Sequence, residues 1–229
     1  MGVLVAACFT QVLAWAQPWI AMWWSDQLVS WMQALEVPGH VVHVTSLAED
    51  ITSMPSTRVD VPARDMQALD LAMHAVAAAA LWFVAGWLPD AARPAALLLR
   101  FGVLVHAASI VYFSTWPASF PYSSMSHAAN GLRQVWALML VTPWLHLCIH
   151  YIFPFALWCR LCVTGLTLPY LFVLAPLLYA THLALLHALG LLVMPALYML
   201  FGVMVPLVGL VAIYGWAMTW PRTARRAQW

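Results

Sequence analysis

The sequence HAANGLRQVWALMLVTPWLHLCIHYIFPFALWCRLC, residues 127–162, decides the fold class because it places three histidines, two arginines and three cysteines inside one long apolar run. A run of this kind is typical of a membrane-spanning helix, which needs about 20 apolar residues to cross about 30 Å of hydrocarbon. Ionisable side chains are costly to bury in such a run, so they are candidates for function. The stretch indicates a membrane protein but does not name an activity.

The composition of the whole chain supports the same class of protein. Hydrophobic residues make up 65% of the chain and charged residues 7%, with a mean hydropathy of +0.86, whereas about 25% of the residues of a soluble domain are charged. All nine basic residues are arginine, and all eight acidic residues lie within the first ninety positions. Acid-base or metal chemistry in the remaining 139 residues therefore needs histidine or thiol.

Six apolar stretches predict an all-α, polytopic membrane protein with a single transmembrane domain. The predicted spans cover residues of about 3–24, 67–88, 95–116, 132–157, 161–186 and 190–218. The last two come from one run, residues 161–220, that has no charged side chain and is expected to break near His187 to Gly190.

Residues 25–66 are predicted to form an acidic extracytoplasmic loop, because they hold six of the eight acidic residues. The pair Pro38-Gly39 is a strong turn signal within this loop. We expect a short amphipathic helix before the turn and an extended piece after it.

The orientation is predicted from arginine, since basic residues in short loops are retained in the cytoplasm. With a cytoplasmic N-terminus, six arginines fall on the cytoplasmic side, namely Arg93, Arg100, Arg160, Arg222, Arg225 and Arg226. Three fall on the other side, namely Arg58, Arg64 and Arg133. Arginine without lysine, together with abundant alanine, leucine and tryptophan, favours a GC-rich bacterial genome. The predicted location is the bacterial inner membrane with both termini cytoplasmic.

Histidines inside the spans are the first candidates for a cofactor. His146 and His150 are four residues apart, so they share one helix face. With His74 and His106 they form the predicted cofactor-binding set, for which b-type haem is one choice because imidazole serves as its axial ligand. The alternative is structural, since a neutral histidine can hydrogen-bond to another helix.

A second set of candidates lies in the outer half of the predicted bundle and suits copper or zinc, for which imidazole is a common ligand. This predicted metal set is Asp70, His74, His127, His182 and His187. Histidines at an interface that contact only water and headgroups are the alternative.

Arg133 and His146 are the catalytic candidates. Arg133 is predicted to begin the fourth span, where it reaches the interface, pairs with an acid or holds an anionic substrate. The spacing of Cys159 and Cys162 is that of thiol redox and zinc sites, but a structural zinc site needs four ligands and no second pair accompanies them. Two small buried residues are the simpler interpretation.

The first functional interpretation is a non-enzymatic inner-membrane subunit or assembly factor of a larger membrane complex, in contact with lipid and with other membrane subunits. The sequence shows no nucleophile-base pair, no phosphate loop and no complete metal motif. A net charge of +1 argues against nucleic-acid binding. The alternatives are a haem- or metal-binding redox protein and an intramembrane hydrolase or transpeptidase using Arg133 and His146, with a transporter as a more distant fourth.

The predicted orientation can be tested with introduced cysteines. A thiol reagent applied from the periplasm should label Ser56→Cys and leave Thr223→Cys protected, because the first lies in the predicted outer loop and the second follows the last span. Labelling of Thr223→Cys with protection of Ser56→Cys would overturn the orientation.

Overall fold

The computed structural model describes residues 2–42, 58–152 and 157–220, and within them the architecture is all-α with one small hairpin. Six of the described helices are long and apolar enough to cross a membrane. They are α1 (Gly2–Ala34), α2 (Ala68–Trp87), α3 (Arg93–Thr115), α4 (Ser124–Ile152), α5 (Leu157–Leu189) and α6 (Leu191–Ala217). The predicted all-α fold with six apolar helices is confirmed, and it fits a multi-pass membrane protein.

The first helix is longer than predicted. It ends at Ala34 instead of near residue 24, so the amphipathic segment predicted as a separate helix forms its last turns. Ser25 does not interrupt it, because its hydroxyl donates to the carbonyl of Ala21 at 2.8 Å. The helix ends where Glu36 adopts a left-handed φ of 55° and the N–H of Val37 donates to the carbonyl of Met32 at 3.0 Å.

The fourth helix starts earlier than predicted, at Ser124 instead of near residue 132. The reason is a reciprocal cap: the N–H of Ser126 donates to Ser123 Oγ at 3.2 Å, and the N–H of Ser123 donates to Ser126 Oγ at 2.9 Å. His127 therefore lies in the first turn of α4. Arg133, predicted at the start of the span, lies more than two turns inside the helix with its side chain exposed.

The fifth helix is the centre of the bundle. It packs against α1, α4 and α6, and it holds buried side chains along most of its length. Helices α2 and α3 form a hairpin at the side, in which α2 packs mainly against α3 and α3 packs against the first turns of α6. Two apolar clusters result, one among α1, α4 and α5 and one where α3, α5 and α6 meet.

A short hairpin covers the end of the bundle at which α4 begins, which we call the loop end. The strands His40–Val42 and Arg58–Asp60 are antiparallel, with His40 opposite Asp60. The first is the extended piece predicted after the Pro-Gly turn. Directly after the second strand, the carbonyl of Val61 accepts a hydrogen bond from the hydroxyl of Ser124 at 2.7 Å. This bond holds the end of the strand against the start of α4. Residues 43–57 of the predicted acidic loop lie outside the described residues.

The break between α5 and α6 lies at Gly190, as predicted. Gly190 has a φ of 77°, and a Cβ there would lie 3.0 Å from the carbonyl oxygen of Arg64. Helix α6 then contains a π-helical stretch, Leu197–Met204, before it continues as an α-helix. Pro206, just after this stretch, has no N–H to donate to the carbonyl of Gly202.

One hydrogen bond joins α1 to α5 at a proline. Pro176 cannot donate to the carbonyl of Phe172, so this carbonyl lacks its usual α-helical partner. Trp24, which is 1% exposed, supplies the missing donor through its indole N–H at 2.8 Å. Trp23 stacks on the ring of Phe172, with centroids 4.2 Å apart. A carbonyl that no water could reach in a bilayer is thereby satisfied by another helix.

Trp24→Phe should lower the stability of the protein in detergent by about 1–3 kcal/mol, because it leaves the buried carbonyl of Phe172 without a donor. Pro176→Ala restores a backbone N–H at the position that α-helical geometry needs. We therefore expect Trp24→Phe to destabilise the Pro176→Ala background much less. Thermal unfolding of the four proteins in the double-mutant cycle measures this, and equal effects in both backgrounds would show that the hydrogen bond is unimportant.

Candidate metal centre

The described helices bring six of the nine histidines into three pairs. The pairs are His127 with His182, His74 with His106, and His146 with His150. The last pair lies on one helix, as its spacing predicted. The first two join different helices, so they are created by the fold and not by local sequence.

The most buried of the interhelical pairs joins α4 to α5. The Nε2 atom of His127 lies 3.1 Å from the Nδ1 atom of His182, and the two side chains are 6% and 1% exposed. This distance fits a hydrogen bond. It also approaches the separation of two nitrogens bound to one tetrahedral metal, about 3.3 Å for bonds of about 2.0–2.1 Å. The other nitrogen of His182 is buried and has no hydrogen-bond partner among the described residues.

Tyr179 lies almost one turn before His182 and contacts it, with ring centroids 5.1 Å apart. Its ring packs directly on Gly131 of α4, where a Cβ would overlap it. Its hydroxyl is buried and also lacks a partner in the part of the chain that the structure describes. A Cβ on Gly202 of the π-helix would lie 3.4 Å from this hydroxyl. The hydroxyl of Tyr179 and the ring of His182 thus lie near Gly202, which has no side chain to fill the space.

A cavity of about 530 Å³ reaches His127 from the loop end. The residues that line it are Phe120, Tyr122, His127, Asn130, Met194, Pro195, Tyr198 and Met199. The potential ligands in this lining are imidazole, two thioethers, phenols and an amide. Tyr198 and Met199 belong to the π-helical stretch, a feature that is frequent at functional sites.

The second interhelical pair joins α2 to α3. The Nδ1 atom of His74 and the Nε2 atom of His106 are 3.2 Å apart, and both side chains are half-buried. His74 lines a second cavity, of about 200 Å³. Asp70 lines it as well, but its carboxylate accepts a hydrogen bond from Arg64 at 2.9 Å and another from the N–H of Gln67 at 3.0 Å.

The third pair lies toward the other end of α4. The Nδ1 atom of His146 is 2.9 Å from the hydroxyl of Thr164 on α5. Its Nε2 atom is buried without a hydrogen-bond partner within the described ranges. His146, His150 and Arg160 line a small cavity of about 20 Å³, which has room for one water molecule.

The five residues predicted as one metal set do not form one cluster, although His127 pairs with His182 and Asp70 lines the same cavity as His74. Asp70 pairs with Arg64, the histidines at 74 and 127 pair with different partners, and His187 donates from Nδ1 to the carbonyl of Pro62 at 2.9 Å. No group of three or more His, Cys, Asp or Glu side chains that could hold a metal occurs in residues 2–42, 58–152 and 157–220. The physical reason is that the α2–α3 hairpin packs beside the bundle and not into it.

Within the predicted cofactor-binding set, His146 and His150 lie at a different depth from His74 and His106. His74 lies six residues from the loop end of α2, a distance of about 9 Å along the axis. His146 lies 22 residues into α4, about 33 Å from the same end. Histidines at such different depths do not face each other across one macrocycle.

The catalytic candidates do not come together either. Arg133 and His146 are thirteen residues apart on one helix, about 20 Å along its axis, and Arg133 is exposed whereas His146 is buried. The cysteines of the CxxC sequence lie in the first turns of α5 as free thiols, with Cys159 buried and Cys162 exposed. The interpretation as two small buried residues therefore fits Cys159 but not Cys162.

The structure adds potential ligands that sequence reasoning missed, above all Met194 and Met199, which line the cavity. The available signal was their position, since both closely follow the helix break at Gly190 and so lie at the same end of the bundle as His127 and His182. No feature of the sequence marked Tyr179, because its position in the site depends on a glycine of a neighbouring helix.

Comparisons with protein-family models, with curated proteins and with solved structures find no match for the chain.

Gly131→Ala should destabilise the protein by about 1–3 kcal/mol, because its methyl group would overlap the ring of Tyr179 in a packed interior. Gly165→Ala is the matched control on α5, since nothing lies within 4 Å of a Cβ there. The control should be neutral or stabilising, because alanine favours the helix. Thermal unfolding in detergent compares the two variants, and equal midpoints would contradict the close packing of Tyr179.

Proposed function

We propose that this protein is a multi-pass membrane protein that binds a copper ion at His127 and His182. The observation that carries the proposal is the buried nitrogen-nitrogen distance of 3.1 Å beside a cavity that also exposes two methionines. Imidazole and thioether together suit Cu(I), which prefers soft ligands. Met194 and Met199 supply the thioethers, so the ion would be held by side chains from α4, α5 and α6.

The ligand types favour copper over zinc and haem. Structural zinc is held by four thiolate, imidazole or carboxylate ligands, and the described residues bring no three such groups together. A haem needs two axial ligands on opposite sides of its ring, whereas the rings of His127 and His182 contact each other directly. Burying uncharged ligands in an apolar region also costs less than burying the carboxylates of a harder metal site.

The role we propose is that of a non-enzymatic subunit or assembly factor of a larger membrane complex. The lining of the cavity supports it, since the imidazole of His127 would be bound to the ion and not act as a general base, and no carboxylate lines the cavity within the described residues. We do not extend the proposal to a hydrolase, because Arg133 and His146 lie far apart.

The proposed location is the bacterial inner membrane, with both termini cytoplasmic. An even number of spans places both termini on one side, and the arginine count favours the cytoplasm for that side. The copper cavity at the loop end would then open toward the periplasm.

The test uses the full chain, purified in mild detergent from cells supplied with copper and haem. We expect bound copper by elemental analysis, and X-ray absorption with both nitrogen and sulfur neighbours. The double variant His127→Gln/His182→Gln should bind one Cu(I) ion fewer than the wild type, since glutamine keeps hydrogen bonding but is a poor Cu(I) ligand. Met194→Leu/Met199→Leu should show weaker sulfur scattering than the wild type.

Met22→Leu is the control, because Met22 is an exposed methionine on α1 outside the cavity. Wild-type stoichiometry in the histidine variant would overturn the site, and a haem spectrum lost in that variant would replace copper with haem. Migration of the gently solubilised wild type as a single free chain on a native gel would contradict the subunit role.

A further inference from the structure

The α2–α3 hairpin repeats the arrangement of the first site with different residues. His74 and His106 approach to 3.2 Å across the two helices, with ring centroids 5.1 Å apart. The buried positions of α2 are otherwise alanines, Ala78 and Ala85. An interface of small apolar residues has no need of two imidazoles, which are costlier to place in a bilayer than alanine or leucine.

The neighbouring cavity supplies thioethers here as well. Met66 and Met73 line the cavity of about 200 Å³ together with His74. The carboxylate of Asp70 is paired with Arg64, so its charge is already compensated. The ligands that this cavity offers to an ion are therefore imidazole and thioether, the same two types as at the first site.

Met66 lies near both cavities. Its sulfur packs on the backbone of Gly190, where a Cβ would lie 2.5 Å from the sulfur and could not be accommodated. Met66 lines the hairpin cavity, and it packs on the apolar cluster that contains Met194, which lines the larger cavity. A thioether thus lies at the break between α5 and α6.

We infer that His74 and His106, with Met66 and Met73, form a second Cu(I) site, and that Met66 and Met194 lie between the two sites. The choice of metal rests on the function proposed for the first site. The second site rests on its own residues, because none of its histidines or methionines belongs to the first. A chain with two sites at one end of the bundle can hold two ions, or accept an ion at one site and pass it to the other.

The experiment is a Cu(I) titration of the full chain in detergent, in competition with bicinchoninate. We expect two Cu(I) ions per wild-type chain and one in His74→Gln/His106→Gln. The reciprocal variant, His127→Gln/His182→Gln, should also bind one. Met66→Leu/Met73→Leu nearly conserves side-chain volume. It should lower the affinity of the chain for one of the two ions by about 10- to 100-fold and leave the affinity for the other unchanged. Met22→Leu should bind as the wild type does.

The outcomes separate the two proposals. One ion per wild-type chain, lost only in the His127/His182 variant, would overturn the second site and leave the first in place. Loss of an ion only in the His74/His106 variant would establish the hairpin site and remove the first. If His74→Gln/His106→Gln does not fold, the methionine variant decides, and unchanged binding of both ions there overturns the hairpin site.

Discussion

The hydrogen bond from the indole of Trp24 to the carbonyl of Phe172 shows the constraint that shapes the bundle. In a bilayer no water can pair with a carbonyl that proline has released, so another helix must do so. The central helix α5 contains two prolines, and its position among α1, α4 and α6 brings side-chain donors within reach. A proline in the most buried helix thereby leads to a specific contact between helices.

Tyrosines on glycines provide the matching steric contacts. Tyr179 of α5 packs on Gly131 of α4, and Tyr170 of α5 packs on Gly209 of α6 while its hydroxyl donates to the carbonyl of Val205 at 2.9 Å. In both cases a large ring fits only because its neighbour has no Cβ. The packing of Tyr179 on Gly131 fixes the distance between α4 and α5 near the loop end. The approach of His127 to His182 therefore depends on this contact.

Much of the fold could be predicted, because hydropathy and span length determine where helices lie in a membrane protein. The break at Gly190 and the short strand after Pro38 were also predictable, because glycine and proline act on the backbone locally. The starts and ends of helices were not, since the serine cap at Ser123 and the continuation of α1 to Ala34 depend on single hydrogen bonds. The partners of each histidine were unpredictable, because they depend on which helices pack together.

The π-helical stretch of α6 changes the direction in which later residues of that helix point. Its wider turns hold more residues than α-helical turns, so positions after Val205 are out of phase with those before Leu197. One helix can therefore present Tyr198 to the cavity and Gly209 to the ring of Tyr170, although an unbroken α-helical phase would orient one of them differently. Removing one residue from the stretch would rotate everything downstream, so the length of this segment is as constrained as its composition.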